Sequence, residues 1–105
     1  MDINHLESFL QKMREGKLCL GMHVTLRDPT VCEAAGDAGL DFTWIDMEHG
    51  PITIETVLLH LMAQRGTGCA PLVRVVGNDP FILKPVLELA PAGVTVRELI
   101  EDHCG

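Results

Sequence analysis

Residues 42–51 read FTWIDMEHGP, an apolar run that ends in three ionisable side chains before a Gly-Pro pair. The segment 42–46 is long enough for one buried strand. It ends in an aspartate, and a glutamate and a histidine follow within three residues. In parallel α/β proteins, functional groups stand where strands end and helices begin. We therefore expect Asp46, Glu48 and His49 to lie at the carboxyl edge of a parallel sheet.

On both sides of this stretch, the sequence alternates between predicted strands and helices. Apolar runs predict further strands at 18–22 and 71–76, and a shorter run predicts a fourth at 94–96. Helical patterns cover 4–16, 30–38, 53–64 and the segment from 80 onward, with a last turn at 97–102. Continuous apolar strands between amphipathic helices favour βαβ units. The predicted fold class is α/β, with a parallel sheet covered by helices.

Local signals predict where several helices begin and end, and Gly16 and Gly39 are expected to end the first two. Asn4 and Glu7 fit a capping box, which predicts Asn4 as the N-cap. The pairs Asp28-Pro29 and Asp79-Pro80 are each typical of a helix start. Pro85 removes a backbone donor inside the last helix, so we expect a local kink or a short first segment there.

Composition limits the classes of function. The 105 residues make one domain at most, or part of one, with 47% hydrophobic residues and mean hydropathy +0.21. The net charge of −7, without a basic cluster, argues against binding to nucleic acid or to an anionic membrane. No apolar stretch reaches about 18 residues. The cysteines form no C-x-x-C pair, and we expect free thiols in a reducing cytoplasm; they are Cys19, Cys32, Cys69 and Cys104.

Two features predict acid/base and anion-binding chemistry. Asp46 and His49 can form a dyad in which the carboxylate orients the imidazole and raises its basicity. Alternatively, Asp46 only caps the following loop and His49 is exposed. Arg74 stands among apolar residues and must find a partner. That partner is either a substrate carboxylate or enolate, held in bidentate fashion, or Asp46 or Glu48 in a structural ion pair.

Three further residues carry weaker signals. Glu48 could reach a metal, but one carboxylate and one histidine are too few ligands to define a site. His23 closes the first predicted strand and could line the pocket, although a packed histidine is the plainer interpretation. His60 flanks the apolar face of its helix, and we expect it to be solvated.

Together these pieces resemble a known family. The segments LGMHVTLRDPTVCEAAGDAGLDFTWIDMEHGP, residues 20–51, and APLVRVVGNDPFILKPVLELAPAGV, residues 70–94, are similar to the HpcH/HpaI aldolases. These are class II, metal-dependent pyruvate aldolases that include the 2-keto-3-deoxy sugar acid aldolases. The resemblance covers about Lys17 to Val94, and its specific part is IDMEHGP followed by VRV and NDP.

The resemblance implies a TIM (β/α)8 barrel that cleaves a 4-hydroxy-2-oxo acid reversibly to pyruvate and an aldehyde. A divalent cation, Mg²⁺, Mn²⁺ or Co²⁺, would stabilise the enolate. By position, His49 would be the general acid/base acting through water, and Asp46 would orient it. Arg74 would bind the keto or enolate oxygen. Glu88 matches an acidic residue, often Asp in the family, that reaches the site of a neighbouring subunit, so a homo-oligomer is expected.

The length sets a second expectation. A barrel of this type takes about 250 residues, so residues 1–105 are expected to be its N-terminal portion, the first three to four β/α units after an N-terminal helix. The resemblance places the two carboxylate metal ligands on strands five and six, so no metal ligand is assigned here. We expect no efficient catalysis from these residues alone. The alternatives are a non-catalytic truncated remnant or interaction subunit, and a small α/β metal- or anion-binding domain.

Overall fold

Three strands and four helices alternate along the part of the chain that the computed structural model describes, residues 5–89. In chain order they are α1 Leu6–Arg14, β1 Gly21–Val24, α2 Thr30–Asp37, β2 Phe42–Asp46, α3 Ile54–Gln64, β3 Ala70–Arg74 and α4 Pro80–Leu89. The strands form one parallel sheet in the order β1-β2-β3. Three consecutive β/α units after an N-terminal helix confirm the predicted fold class. No helix in this range is long and apolar enough to cross a membrane.

The strand boundaries follow the pairing between neighbouring strands more closely than they follow the runs of apolar residues in the sequence. The prediction for β2 is confirmed to the residue, whereas β1 begins three residues later than predicted. Gly21 is the first residue of β1 that pairs with β2, opposite Phe42. The preceding Leu18 and Leu20 remain 77% and 56% exposed. Apolar residues alone therefore misplaced the start of β1, because the register against β2 sets it.

Glycines end the first two helices, as the sequence predicts. After α1, Gly16 adopts φ +74° and donates its N–H to the Met13 carbonyl, while Lys17 donates to the Lys12 carbonyl. This is a Schellman ending, in which a left-handed residue satisfies the last carbonyls of the helix. Gly39, at φ +86°, ends α2 in the same way.

Helix starts agree less well with the sequence signals. His5 occupies the N-cap of α1, at φ 55° and without a side-chain cap, so the predicted N-cap one residue earlier is wrong. Before α2, Asp28 Oδ1 accepts the N–H of Thr30 at 3.0 Å. The last helix continues through Pro85. The predicted strand at 94–96 and the helical turn at 97–102 lie outside the described residues.

The two faces of the sheet bury different partners. One face packs Val24, Ile45 and Val73 against α2, α3 and α4. On the other face, α1 covers the amino-terminal half, where the rings of Phe9 and Phe42 lie 5.3 Å apart. In the carboxyl half of that second face, His23 and Arg74 remain partly exposed, and the candidate site lies there.

A buried polar network joins α3 to the sheet. Thr43 donates its hydroxyl to Gln64 Oε1 at 2.7 Å, and Gln64 Nε2 donates to the Cys69 carbonyl at 3.1 Å. His60 is fully buried, so the expectation that it is solvated is wrong. Its Nε2 donates to the Leu26 carbonyl at 2.8 Å, in the loop after β1. The buried stripe of α3 thus includes polar side chains that an apolar pattern does not detect.

Candidate active site

Asp46 is the last residue of β2 and is fully buried. Its Oδ1 accepts the backbone N–H groups of Glu48 at 2.8 Å and His49 at 3.1 Å. The carboxylate therefore caps the loop that follows the strand, which is one of the two alternatives left open by the sequence. Because these two N–H groups occupy Oδ1, the other carboxylate oxygen is left for side chains.

Three side chains approach Asp46 Oδ2, one from each strand or the loop after it, two within hydrogen-bond distance and one as an ion pair. His23 Nε2 from β1 lies 2.8 Å away, His49 Nδ1 from the loop lies 3.1 Å away, and Arg74 Nη1 from β3 lies 3.6 Å away. Asp46 is paired with Arg74 in the register of the sheet, which explains why their side chains meet. The predicted residues Asp46, His49 and Arg74 are thus brought together at one edge of the sheet.

One nitrogen of His49 has two competing partners. Arg74 Nη1 lies 2.9 Å from His49 Nδ1, the same atom that lies 3.1 Å from Asp46 Oδ2. A guanidinium only donates and a carboxylate only accepts, so Nδ1 cannot bond to both in one protonation state. When Arg74 donates to Nδ1, the proton of a neutral His49 is on Nε2. When Arg74 moves away, Nδ1–H can donate to Asp46 and Nε2 becomes a free base.

The Trp44 ring packs against two of these side chains, Arg74 and His23. The Arg74 guanidinium carbon lies 4.3 Å from the centroid of the Trp44 ring, within the range of a cation–π contact. The His23 ring lies 5.0 Å from the same ring, tilted by 38°. His23 and Trp44 are paired across β1 and β2. The indole therefore holds both the guanidinium and an imidazole on the accessible face.

The environment keeps Asp46 ionised. Burial by itself raises the pKa of a carboxyl, but the hydrogen bonds outweigh it. The donors are the His23 ring, the backbone N–H groups of Glu48 and His49, and the His49 ring, and together they hold the pKa of Asp46 well below its ordinary value. Asp46 is therefore a fixed negative charge that accepts hydrogen bonds, and it does not itself exchange protons near neutral pH.

The loop that carries His49 is pressed against the loop after β1. A Cβ at Gly50 would stand 3.0 Å from the Thr25 carbonyl oxygen. That separation is tighter than most Cβ contacts, so a larger residue at position 50 would require the Thr25 backbone to shift by a few tenths of an ångström. Glu48 Oε1 lies 3.5 Å from His49 Nε2, at the rim of the cluster.

Glu88 is not brought to this cluster. It lies exposed in the last turn of α4, and within residues 5–89 no hydrogen bond or ion pair joins it to the residues above.

The sequence analysis missed Trp44 and gave His23 little weight. A signal existed, because side chains two apart on a strand share a face. Trp44 therefore shares a face with Asp46, and His23 is paired with Trp44 on the neighbouring strand.

The divalent cation that the resemblance implies does not fit the described residues. Between residues 5 and 89, no group of three or more His, Cys, Asp or Glu side chains is arranged to hold a metal ion. No step is therefore assigned to a metal, and its presence stays a prediction.

The Cys32 and Cys69 thiols are buried, and burial raises their pKa to about 12 and about 11.

Comparison with known proteins gives one consistent result. The profile of the HpcH/HpaI aldolase/citrate lyase family matches residues 19–97. The chain is 38% identical over 85 residues to the 4-hydroxy-2-oxovalerate aldolase of Novosphingobium aromaticivorans, covering 80% of this chain and 32% of that protein. It is 40% identical over 77 residues to the 2-dehydro-3,6-dideoxy-6-sulfogluconate aldolase of Pseudomonas putida, covering 73% and 30%.

A solved structure agrees with these relatives. A HpcH/HpaI aldolase/citrate lyase family protein from Burkholderia cenocepacia superposes with a TM-score of 0.70 at 33% identity, over 78% of this chain and 33% of that one. The structural neighbours are TIM-barrel aldolases, so the β/α units seen here are a part of a TIM barrel. The chain spans about a third of the length of the relatives it matches.

Proposed function

The chain belongs to the HpcH/HpaI aldolase/citrate lyase family, and on this premise we propose that it supplies the acid/base and oxyanion-binding groups of a 2-oxo acid aldolase site. The reaction is the reversible retro-aldol cleavage of a 4-hydroxy-2-oxo acid, such as a 2-keto-3-deoxy acid, to pyruvate and an aldehyde. The observation that carries the proposal is the assembly of Asp46, His49 and Arg74 at the carboxyl edge of β2 and β3.

Arg74 binds the oxygen at which negative charge develops. As the carbon–carbon bond breaks, the 2-oxo oxygen of the substrate becomes an enolate oxygen. A guanidinium donates to that oxygen more strongly as the charge grows, which lowers the barrier. The contact with Trp44 holds the guanidinium in place before the substrate arrives.

His49 removes the proton of the 4-hydroxyl, directly or through a water molecule. The hydroxyl oxygen becomes the aldehyde carbonyl, and the electrons of the C3–C4 bond pass into the enolate. This requires the Nε2 lone pair of His49, and therefore the state in which Nδ1–H donates to Asp46. A substrate oxygen that binds Arg74 moves the guanidinium away from His49 Nδ1 and so produces that state. The Nε2 lone pair of His49 is therefore available as a base only when substrate is bound.

Enolisation of pyruvate tests the proposal with the simplest substrate. Deuterium exchange into the pyruvate methyl group is followed by NMR in D₂O, with and without added Mg²⁺ or Mn²⁺. Slow exchange, above the uncatalysed rate but well below that of an efficient enzyme, is expected, and Arg74→Ala should abolish it; His49→Gln should instead abolish cleavage of a 4-hydroxy-2-oxo acid. His5→Asn, which removes an imidazole outside the cluster at a position where asparagine tolerates φ 55°, is the control. Methyl exchange that persists in Arg74→Ala, or cleavage that persists in His49→Gln, contradicts the proposal.

Binding without catalysis is the second candidate function. Arg74 is about one-third exposed on the accessible sheet face, so it can hold a small anion whether or not a reaction follows. Chemical-shift changes on addition of pyruvate, without any methyl exchange, would favour this anion-binding interpretation. The remaining family expectations belong to the proposal as well: a metal-dependent class II reaction, a cytoplasmic location, and a homo-oligomer in which Glu88 serves a neighbouring site.

A further inference from the structure

His23 makes the shortest side-chain contact to the buried carboxylate. Its Nε2 lies 2.8 Å from Asp46 Oδ2, compared with 3.1 Å for His49 Nδ1. No alternative partner competes for His23 Nε2 among residues 5–89, whereas His49 Nδ1 is shared with Arg74. The imidazole that Asp46 orients without competition is therefore His23.

The hydrogen bond fixes which nitrogen of His23 carries the proton. A carboxylate accepts only, so Nε2 must carry the proton that it donates to Asp46. In the neutral ring, the lone pair is then on Nδ1. Within residues 5–89, no group hydrogen-bonds to that nitrogen, and the side chain is 49% exposed. The contact with Trp44 limits how far the ring can turn. His23 thus has the arrangement of an oriented base with an accessible nitrogen.

The proposed reaction needs proton transfer at two different atoms. Cleavage removes a proton from the 4-hydroxyl oxygen, and release of pyruvate adds a proton to the enolate carbon. One imidazole serves both steps only if it reaches both atoms. Here two imidazoles flank one carboxylate, and they come from opposite sides: His23 from β1, and His49 from the loop beside Arg74.

We propose that His23 is a second acid/base residue, which exchanges the proton at the methyl carbon of pyruvate while His49 serves the hydroxyl; this rests on the proposed aldolase function. Protonated His23 gives the Nδ1 proton to the enolate carbon. The C=C electron pair forms the new C–H bond, and the enolate oxygen becomes a carbonyl. His23 is left neutral and regains a proton from water. In the reverse direction, neutral Nδ1 removes a methyl proton.

Replacement by glutamine separates proton transfer from positioning. Glutamine can present an N–H where His23 Nε2 lies, so it keeps the donor to Asp46, but it cannot exchange protons near neutral pH. His23→Phe removes the donor as well. We expect His23→Gln to slow methyl exchange by about 10²-fold, the usual size of a general acid/base contribution. The folded state should be retained, as judged by the amide NMR spectrum.

A second measurement determines directly which nitrogen of the His23 ring carries the proton. Long-range ¹H–¹⁵N NMR correlations of the wild-type chain should show the neutral His23 ring as the Nε2–H tautomer, without a proton on Nδ1. A proton on Nδ1 would overturn the inference. So would wild-type exchange in a folded His23→Gln protein, since the donor alone would then suffice. His5→Asn is again the matched control, because it removes an imidazole that does not contact the cluster.

Failure of the proposed function gives a different result. If the wild-type chain catalyses no exchange at all, the aldolase proposal is contradicted, and the role of His23 with it. If wild-type exchange depends on Arg74 but not on His23, and cleavage depends on His49, only this inference is contradicted. In the cleavage direction, His23→Gln should release one equivalent of aldehyde rapidly and then stall, whereas His49→Gln should show no such burst.

Discussion

At the residue scale, Asp46 stays charged although it is buried, because each of its two carboxylate oxygens has its own hydrogen-bond partners. Oδ1 is satisfied by backbone N–H groups, and Oδ2 by side chains that belong to the site. Buried charges are tolerated only when they are paired and hydrogen-bonded. The same carboxylate therefore closes the loop after β2 and orients the groups that we propose react.

Asp46→Asn should destabilise the fold in a pH-dependent way. The pKa of the folded carboxyl is lower than that of the unfolded chain, which is about 3.9. Its stabilisation is therefore complete above about pH 5 and is lost as the pH falls below 4 toward the folded pKa. We expect the variant to be less stable by about 2 kcal/mol at pH 7.

Urea unfolding of both proteins at pH 7 and pH 3 measures this effect. The difference in unfolding free energy between wild type and Asp46→Asn should shrink at pH 3, because the wild-type carboxyl there has begun to lose its advantage. An equal difference at both pH values would mean that the hydrogen bonds do not depend on the charge.

Arg74→Lys should weaken pyruvate binding while keeping the positive charge. Lysine is a point charge without the planar fork, and it loses the stacked arrangement on Trp44. We expect a loss of about tenfold in affinity, measured by NMR titration with pyruvate. Lys84→Arg, at an exposed position of α4, is the control and should bind normally. Unchanged affinity in Arg74→Lys would show that charge alone holds the ligand.

At the element scale, α3 is positioned by polar contacts as much as by apolar packing. Gln64 links the β2 hydroxyl of Thr43 to the carbonyl that leads into β3. His60 ties the same helix to the loop after β1. The helix is therefore tied to β2, to the residue before β3 and to the loop after β1.

Gln64→Leu should unfold more easily although it adds apolar surface. It leaves the Thr43 hydroxyl and the Cys69 carbonyl buried without their partner, at about 1–3 kcal/mol for each group. Because the buried leucine side chain recovers part of this free energy, a net loss of about 2–4 kcal/mol is expected from urea unfolding. Met62→Leu, at a position 57% exposed on the same helix, should change stability by less than about 0.5 kcal/mol. Similar values for the two variants would contradict the role given to the network.

At the scale of the whole molecule, the described sheet has two outer edges. β1 and β3 each pair on one side only within residues 5–89. Leu20, immediately before β1, is 56% exposed. Unpaired strand edges beside apolar residues favour pairing with another chain. A homo-oligomer, which the family resemblance also implies, would cover such an edge.

Light scattering after size-exclusion chromatography tests this association. The chain should elute as an oligomer whose mass falls on dilution, and Leu20→Lys should shift it toward the monomer, because a charge beside a strand edge opposes pairing. Leu59→Lys places the same charge on the exposed side of α3, where it should have no effect. A monomer at every concentration contradicts the prediction.

The sequence by itself determined the order of elements, the extent of β2, the glycine helix ends and the clustering of Asp46, His49 and Arg74. These follow from local periodicity, from conformations that only glycine adopts readily, and from the rule that parallel strands end at one edge. Glu88 could be assigned only by resemblance, and its role stays a prediction.

Only the tertiary structure decided the start of β1, the burial of His60, and the competition of Asp46 and Arg74 for one nitrogen of His49. It also decided that His23 contacts Asp46 across the sheet and that Trp44 lies under both His23 and Arg74. These features depend on the register between strands or on how a helix packs against the sheet and its loops. The sequence does not show these contacts directly, because all of them except Asp46–His49 join residues that are 21 to 34 positions apart.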